Sequence, residues 1–204
     1  KWITGPEARA AVHQLRSETD AVMVGSGTAI ADDPLLTVRD APLLGSPPAR
    51  VIVDSRLRVP VTSGLFRDAP QIPLILATSI TDQDRIRSRE ATGAEVIVIP
   101  EHREHVHLKE MMKALGSREA GPVTSLLVEG GSGLAQVLVS EGLVDRLHLF
   151  MAPMLIGADG LPSIGPLGCD NLSDATSLDI ERIGRVGADI EVVATLRSLP
   201  TEER

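Results

Sequence analysis

Short runs of apolar residues recur along the chain at intervals that suit the strands of a parallel sheet. Apolar runs of about four to eight residues are typical of strands buried on both faces. Runs of this kind, most with a charged or polar residue at one or both ends, occupy residues 21–24, 50–54, 73–78, 95–99 and 125–128. We predict a strand at each of them, with burial at residues 21–24 and burial on both faces at residues 125–128.

Segments with helical spacing of apolar residues separate these runs. We predict helices over residues 6–19, 81–91 and 106–115, one helical turn at 29–31, and a last helix whose apolar positions begin at Leu134. The first helix opens with proline and glutamate, and the second has a possible cap at Ser79 or Thr81. Strands that alternate with helices across short connections are typical of an α/β domain with a largely parallel sheet.

The C-terminal part of the chain has a different pattern. Residues 146–152 alternate between apolar and polar positions, and residues 177–181 and 190–196 flank Gly184 and Gly187 like the arms of a hairpin. We therefore predict an antiparallel C-terminal edge on the parallel sheet. No repeat or linker interrupts the pattern, so we expect residues 1–204 to form a single domain.

Two of the predicted strands run into glycine-rich turns, at residues 25–28 and 129–133. Where such a turn leads into a helix, free backbone N–H groups and the helix dipole favour a bound anion. The sequence Gly130-Gly131-Ser132-Gly133 is not the dinucleotide fingerprint, and simple turn chemistry is an alternative interpretation. Glu129 favours a ligand, because a carboxylate that ends an apolar strand must face water or a bound group.

Composition excludes several classes of function. The chain has 204 residues, a net charge of −8 and scattered basic residues, which argues against a nucleic-acid surface. Its one cysteine, Cys169, excludes an internal disulfide, favours a reducing cytoplasm and leaves no metal site of standard cysteine and histidine spacing. No apolar run approaches the roughly 18 residues of a membrane helix. Aromatic residues are too few for base stacking.

Several short motifs together point to a family. They are Trp2-Ile3-Thr4, Pro6-Glu7-Ala8-Arg9, Val24-Gly25-Ser26-Gly27-Thr28, Ala31-Asp32-Asp33-Pro34, Leu36-Thr37-Val38-Arg39, Arg50-Val51 with Asp54-Ser55, Val128-Glu129-Gly130-Gly131, and Ala152-Pro153 ahead of Leu155-Ile156-Gly157. This set spans most of the chain and resembles the reductase domain of the bifunctional riboflavin-biosynthesis deaminase-reductase. The resemblance implies a dihydrofolate-reductase-like, three-layer α/β/α fold, NADPH as cofactor and a homodimer. It also implies reduction of the ribosyl group of 5-amino-6-(5-phosphoribosylamino)uracil to the ribityl group.

The same resemblance implies a set of site residues. The substrate contacts fall on Arg16, Leu35, Arg39 and Glu129. The cofactor contacts fall on Trp2, Thr28, Asp32, Ser55, Gly130, Gly131, Ser132, Gly133 and Leu134. We expect the two arginines to bind the substrate phosphate, and we assign catalytic roles to Asp32, which positions nicotinamide and ribose, and to Glu129, which anchors the substrate.

Each assignment has a structural alternative. Arg16 suits the end of a helix, Asp32 suits a turn, Arg39 suits a strand edge, and Trp2 suits the flank of a core. We interpret His13 and the group His102, His105 and His107 as solvated or packing residues. Arg56 and Arg58, close to Ser55, are candidates for the adenosine 2′-phosphate of NADPH.

The sequence departs from the family pattern in two ways. It begins after a strand that carries a lysine implicated at the substrate ribose, and it lacks the zinc motif of the deaminase. Two rival functions stay open. One is reduction of the 2,5-diamino-pyrimidinone precursor, and the other is a non-catalytic nucleotide-binding module.

Overall fold

The main sheet of the molecule is built from the apolar runs of the first two thirds of the chain. The computed structural model describes residues 2–39, 41–43 and 45–197. Its residues divide into two compact units, His13–Gly131 on the one hand and Lys1–Val12 with Ser132–Arg204 on the other. The predicted single domain stays a prediction.

Helices and strands largely alternate up to residue 151, with three successive strands over residues 95–106, and two long strands follow. In chain order the elements are α1 (Pro6–Ser17), β1 (Ala21–Gly25), α2 (Ser26–Asp32), β2 (Ala49–Val53), α3 (Gly64–Arg67), β3 (Leu74–Thr78), α4 (Gln83–Glu90), β4 (Glu95–Val98), β5 (Glu101–His102), β6 (His105–Val106), α5 (Leu108–Gly116), β7 (Leu126–Val128), α6 (Ser132–Ser140), β8 (Arg146–Met151), β9 (Leu178–Val186) and β10 (Asp189–Leu196). Short 3-10 turns occupy Gly157–Asp159 and Leu172–Asp174. Within the described residues, no helix is long and apolar enough to cross a membrane.

Five parallel strands form one sheet in the order β4-β3-β2-β1-β7. The three inner strands are almost wholly buried, as predicted for β1, and Val22, Ile52 and Leu76 lie in the core. The expectation that β7 is buried on both faces is wrong. Its three residues are half-buried, because β7 ends the sheet and has β1 as its neighbour on one side.

Three helices, α2, α4 and α5, begin at other residues than predicted. Helix α2 begins at Ser26, directly after β1, so the glycine-rich segment is helical and not a turn. Helix α4 begins at Gln83, because the Asp82 side chain accepts hydrogen bonds from the backbone N–H groups of Asp84 and Arg85. Residues 101–106 form a small hairpin, so α5 starts at Leu108 and not at residue 106.

The three C-terminal strands pair antiparallel in the order β8-β10-β9. The predicted α/β class, with a parallel sheet and antiparallel C-terminal strands, is confirmed. Among the described residues, β8, β9 and β10 hydrogen-bond to one another as a three-stranded sheet. The turn between β9 and β10 contains Gly187, whose φ is +64° and where a Cβ would lie 2.4 Å from Glu7 Oε2. The close approach requires glycine at this position.

Candidate functional site

The carboxyl ends of the parallel strands bring several predicted residues to one edge of the sheet in the unit His13–Gly131. Ser55 follows β2, Glu129 and Gly130 follow β7, and Thr28 lies in the first turn of the helix after β1. A Cβ placed on Gly130 would lie 3.8 Å from Thr28 Cγ2, so these two segments are adjacent. Ligands of open α/β sheets bind at this edge.

Glu129 and Arg16 form a bidentate ion pair at this edge. Arg16, in the last turn of α1, donates from Nε to Glu129 Oε1 at 2.6 Å and from Nη2 to Oε2 at 2.7 Å. The two side chains are 10% and 21% exposed, so water screens this pair far less than a surface pair. The Glu129 backbone N–H donates to the Met23 carbonyl at 2.8 Å, which continues the pairing of β7 with β1 and fixes where the side chain starts.

The guanidinium of Arg16 is therefore engaged by the protein itself. Its Nη1 donates to the Thr37 carbonyl at 2.6 Å, in addition to the two bonds to Glu129. Of the two arginines expected to bind phosphate, Arg39 is the exposed one. Each oxygen of Glu129 accepts one bond from Arg16 and keeps further lone pairs for a ligand.

The segment 33–39, which carries Leu35 and Arg39, is irregular but firmly held. The Asp33 carboxylate accepts hydrogen bonds from Ser63 Oγ and from the Gly64 N–H, and these bonds lower the pKa of Asp33 below its ordinary value. Leu36 is buried at the centre of the segment, with a left-handed φ of +55°. Leu35 and Arg39 therefore project from a backbone that hydrogen bonds and burial hold in place.

His13 makes a further hydrogen bond to the segment 33–39, which the sequence interpretation missed. Its Nδ1 accepts a hydrogen bond from the Arg39 backbone N–H at 3.1 Å. His13 and Arg16 are three residues apart on α1, a spacing that places side chains on the same helix face. That spacing, next to the predicted substrate residue Arg16, is the signal that could have identified His13.

Asp32 and Ser55 differ in their surroundings. Asp32 ends α2 with an exposed side chain, and no described residue donates a hydrogen bond to its carboxylate. Ser55 is half-buried, and its Oγ accepts from the Val106 N–H at 3.0 Å, which ties the hairpin of β5 and β6 to the end of β2. The Ser55 hydroxyl keeps its own proton for donation.

The two arginines after Ser55 are also in contact with protein groups. Arg56 forms an exposed ion pair with Glu101 at 3.2 Å. Arg58 donates from Nη2 to Ser26 Oγ at 2.9 Å, at the beginning of α2. Among the described residues no group of three or more histidine, cysteine, aspartate or glutamate side chains is placed to hold a metal ion.

The other predicted cofactor residues belong to the unit Lys1–Val12 with Ser132–Arg204. Trp2 is 72% exposed, and the Arg9 guanidinium lies 4.7 Å from its ring centroid in a cation–π contact. Ser132, Gly133 and Leu134 form the first turn of α6, which carries no acidic residue there. A Cβ on Gly133 would meet nothing within 4 Å, so the backbone at this turn is open to approach.

Comparison with known proteins gives consistent matches over nearly the whole chain. Residues 1–192 match the family described as the RibD C-terminal domain. The chain is 37% identical over 191 residues to a 2,5-diamino-6-ribosylamino-4(3H)-pyrimidinone 5′-phosphate reductase of Archaeoglobus fulgidus, covering 90% of this chain and 82% of that protein. It is 34% identical over 191 residues to the riboflavin biosynthesis protein RibD of Actinobacillus pleuropneumoniae, covering 93% of this chain and 50% of that protein.

The chain thus spans about half the length of the RibD protein it matches and most of the archaeal reductase. Among solved structures, RibD of Acinetobacter baumannii superimposes with a TM-score of 0.83 at 23% identity, covering 97% of this chain and 52% of that one. This likeness shows a shared fold.

Proposed function

Because the chain belongs to the family of RibD C-terminal domains, we propose that it is a reductase of riboflavin biosynthesis. The reaction is the NADPH-dependent reduction of the ribosyl group of 5-amino-6-(5-phosphoribosylamino)uracil to the ribityl group. The observation that carries this proposal is the Arg16–Glu129 pair at the carboxyl edge of the sheet, in which Arg16 is buried and Glu129 half-buried. It lies next to the segment 33–39, which is hydrogen-bonded to α1 and presents Leu35 and Arg39. A polar anchor beside an exposed cation suits a phosphorylated, hydrogen-bonding substrate.

In this proposal the substrate is held by three kinds of contact. The Arg39 guanidinium binds the 5-phosphate, because it is exposed and its backbone is fixed. Glu129 accepts hydrogen bonds from the pyrimidine or sugar through lone pairs that Arg16 leaves free. Leu35, which is 37% exposed, gives apolar contact to the base. Arg16 uses three of its five N–H donors on Glu129 and on the Thr37 carbonyl, and the remaining two are available to the substrate phosphate.

The cofactor residues of the proposal are Trp2, Thr28, Asp32, Ser55, Gly130, Gly131, Ser132, Gly133 and Leu134. Their chemistry fits a nicotinamide dinucleotide. Gly130 and Gly131 have φ of +66° and +84°, and α6 begins without an acidic residue, so backbone N–H groups are available for phosphate oxygens. NADPH, when bound, supplies the hydride.

Reduction of a ribosylamine requires an open sugar. The ring C–O bond breaks, and its oxygen takes up one proton while the amine nitrogen loses its own, which leaves a hydroxyl group and a carbon–nitrogen double bond. That double bond then accepts hydride at carbon and one proton at nitrogen, so the net uptake is one hydride and one proton. We propose that Asp32, exposed at the end of α2, positions the reacting groups and relays the proton, while Glu129 anchors the substrate.

A second substrate has one specific observation in its favour. The archaeal relative is named for the 2,5-diamino-pyrimidinone precursor, and this chain matches 82% of its length. The same chain matches 50% of the length of the RibD protein. The precursor differs at the pyrimidine ring and has the same phosphoribosyl group. Reduction of the precursor is therefore the alternative activity of the same site.

The experiment that tests the proposal is steady-state oxidation of NADPH with each of the two pyrimidines. We expect turnover with the uracil derivative and a higher kcat/KM for it than for the diamino precursor. A higher kcat/KM for the precursor would support the alternative substrate. Binding of NADPH without turnover of either compound would support a non-catalytic nucleotide-binding module.

We also propose that the chain acts as a homodimer in the cytoplasm. In the C-terminal sheet, apolar residues of β8 and β9 lie opposite apolar residues of β10, so their side chains share one face of the sheet. Several of these side chains are exposed: Leu149, Met151, Ile180, Ile183 and Ile190. An exposed apolar sheet face of this kind is typical of a protein contact. A two-fold dimer would cover the face with its own copy.

A further inference from the structure

Helix α1 reaches the backbone of the segment 33–39 at two points. His13 Nδ1 accepts from the Arg39 N–H at 3.1 Å, and Arg16 Nη1 donates to the Thr37 carbonyl at 2.6 Å. Both contacts are made to main-chain atoms, so they restrain the path of the segment whatever its side chains do. Side chains three residues apart on a helix lie on one face, which lets a single turn of α1 make both contacts.

The segment needs such restraints, because it has no strand or helix of its own after Asp33. It also contains a left-handed leucine, Leu36, with a φ of +55°. A non-glycine residue in that region is disfavoured and persists when its surroundings determine it. Burial of Leu36 and the bonds to Asp33 fix the first half of the segment, and His13 and Arg16 fix the second half.

The same arginine fixes a second predicted substrate group. Arg16 uses Nε and Nη2 on Glu129 and Nη1 on the Thr37 carbonyl, so one guanidinium sets the position of Glu129 relative to the segment that carries Arg39. A planar, charged fork keeps these directions constant, which a lysine could not do.

We propose that His13 and Arg16 are positioning residues that clamp the segment 33–39 and thereby hold the Arg39 guanidinium in the place where it binds the substrate phosphate. This inference rests on the proposed function and adds to it a specific role for His13. Because Nδ1 must accept the Arg39 N–H, His13 works with that nitrogen unprotonated.

A double-mutant cycle tests the clamp. We expect His13→Ala to raise KM for the phosphorylated pyrimidine about three- to tenfold, the range that the loss of one hydrogen bond predicts. The Kd for NADPH should stay unchanged. In an Arg39→Ala background, the same His13→Ala change should have no further effect on KM, because the cation that His13 positions is gone. Equal effects of His13→Ala in both backgrounds would overturn the proposal.

His13→Asn is the matched rescue variant. Its Oδ1 can lie where the imidazole Nδ1 lies and accept the same N–H. We therefore expect His13→Asn to have a KM close to that of the wild type, while His13→Ala has the raised KM. If His13→Asn raises KM as much as His13→Ala does, the hydrogen bond to the Arg39 N–H is not what lowers KM in the wild type, and the proposal is wrong.

Amide hydrogen exchange separates this inference from the proposed function. In the wild type and in His13→Asn, the Arg39 amide should exchange slowly, and in His13→Ala it should exchange about tenfold faster. This readout needs no substrate, so it tests the clamp even if neither pyrimidine is reduced. Unchanged exchange in His13→Ala would contradict the clamp and leave the reductase proposal in place. Absence of turnover in the wild type would contradict the reductase proposal and leave the clamp in place.

Discussion

Arg39 is the residue whose substitution should separate phosphate binding from the rest of substrate binding. Its side chain is exposed and its backbone N–H is held by His13. We expect Arg39→Ala to raise KM for the phosphorylated substrate by about tenfold or more, and to change KM for the dephosphorylated analogue little, since the loss is that of a charged contact. Arg87→Ala, on the exposed surface of α4, is the control. A similar loss on both compounds would remove Arg39 from the phosphate site.

Asp32 and Glu129 should respond differently to neutral isosteres. Asp32 is exposed at the end of α2, whereas Glu129 is held by Arg16 in a bidentate pair. We expect Asp32→Asn to lower kcat with little change in KM, because the role proposed for Asp32 falls in the transition state, and Glu129→Gln to raise KM. Steady-state kinetics at saturating NADPH measures both. Wild-type kcat in Asp32→Asn would leave Asp32 as a residue that only ends a helix.

At the scale of elements, Asp20 holds β7 next to β1. Its Oδ2 accepts bonds from the N–H groups of Thr124 and Ser125 at 2.8 and 2.9 Å and from the Thr124 hydroxyl at 2.7 Å. The Thr124 hydroxyl bond is the main cause that lowers the pKa of Asp20. Because the folded-state pKa lies below the unfolded value of about 3.9, ionised Asp20 stabilises the fold above that pH, and the contribution is lost as pH falls through the folded pKa.

Asp20→Asn should therefore be less stable than the wild type at neutral pH by about 1 kcal/mol, and the difference should shrink below about pH 4. Urea unfolding at several pH values measures this, with the surface variant Asp170→Asn as the control. A difference that stays constant down to strongly acidic pH would show that the charge of Asp20 has no part in holding β7.

The elements that could be predicted from the sequence are those whose pattern is local. β1, β2 and β3 are short runs that are apolar apart from Arg50 and Thr78, and such runs suit strands inside a sheet. The start of α2 was missed because Gly-Ser-Gly-Thr has low helix propensity and resembles a turn, while its position after a buried strand decides the outcome. The hairpin at residues 101–106 was missed because its turn uses Arg103 and Glu104 in left-handed conformations.

The candidate site could be predicted residue by residue but not as an arrangement. The resemblance indicated Arg16, Arg39 and Glu129 as substrate residues. It did not show that Arg16 pairs with Glu129, because the two are 113 positions apart and meet only through the sheet. His13 was interpreted as a solvated or packing residue, because its spacing to Arg16 shows a shared helix face but not the contact with the Arg39 backbone N–H.

For the whole molecule, the apolar face of the C-terminal sheet gives a prediction about assembly. Ile183 is 63% exposed on β9, opposite Val192 of β10. We expect the wild type to have the mass of a dimer in light scattering at micromolar concentration, and Ile183→Glu to have the mass of a monomer, because a buried unpaired carboxylate is costly. Arg87→Glu on α4 is the control. A monomeric wild type would contradict the homodimer.

Hydride transfer by this chain is tested most directly by following deuterium from the reduced nicotinamide into the pyrimidine product. The protein is incubated with 5-amino-6-(5-phosphoribosylamino)uracil and NADPH deuterated on either face of nicotinamide C4, and the product is analysed by mass spectrometry and NMR. With one of the two labelled cofactors, we expect a single deuterium at the former C1 of the sugar, now a CHD group of the ribityl chain. Unreduced substrate with both cofactors, or reduced product without the label from either, would contradict the assignment of this chain as the reductase.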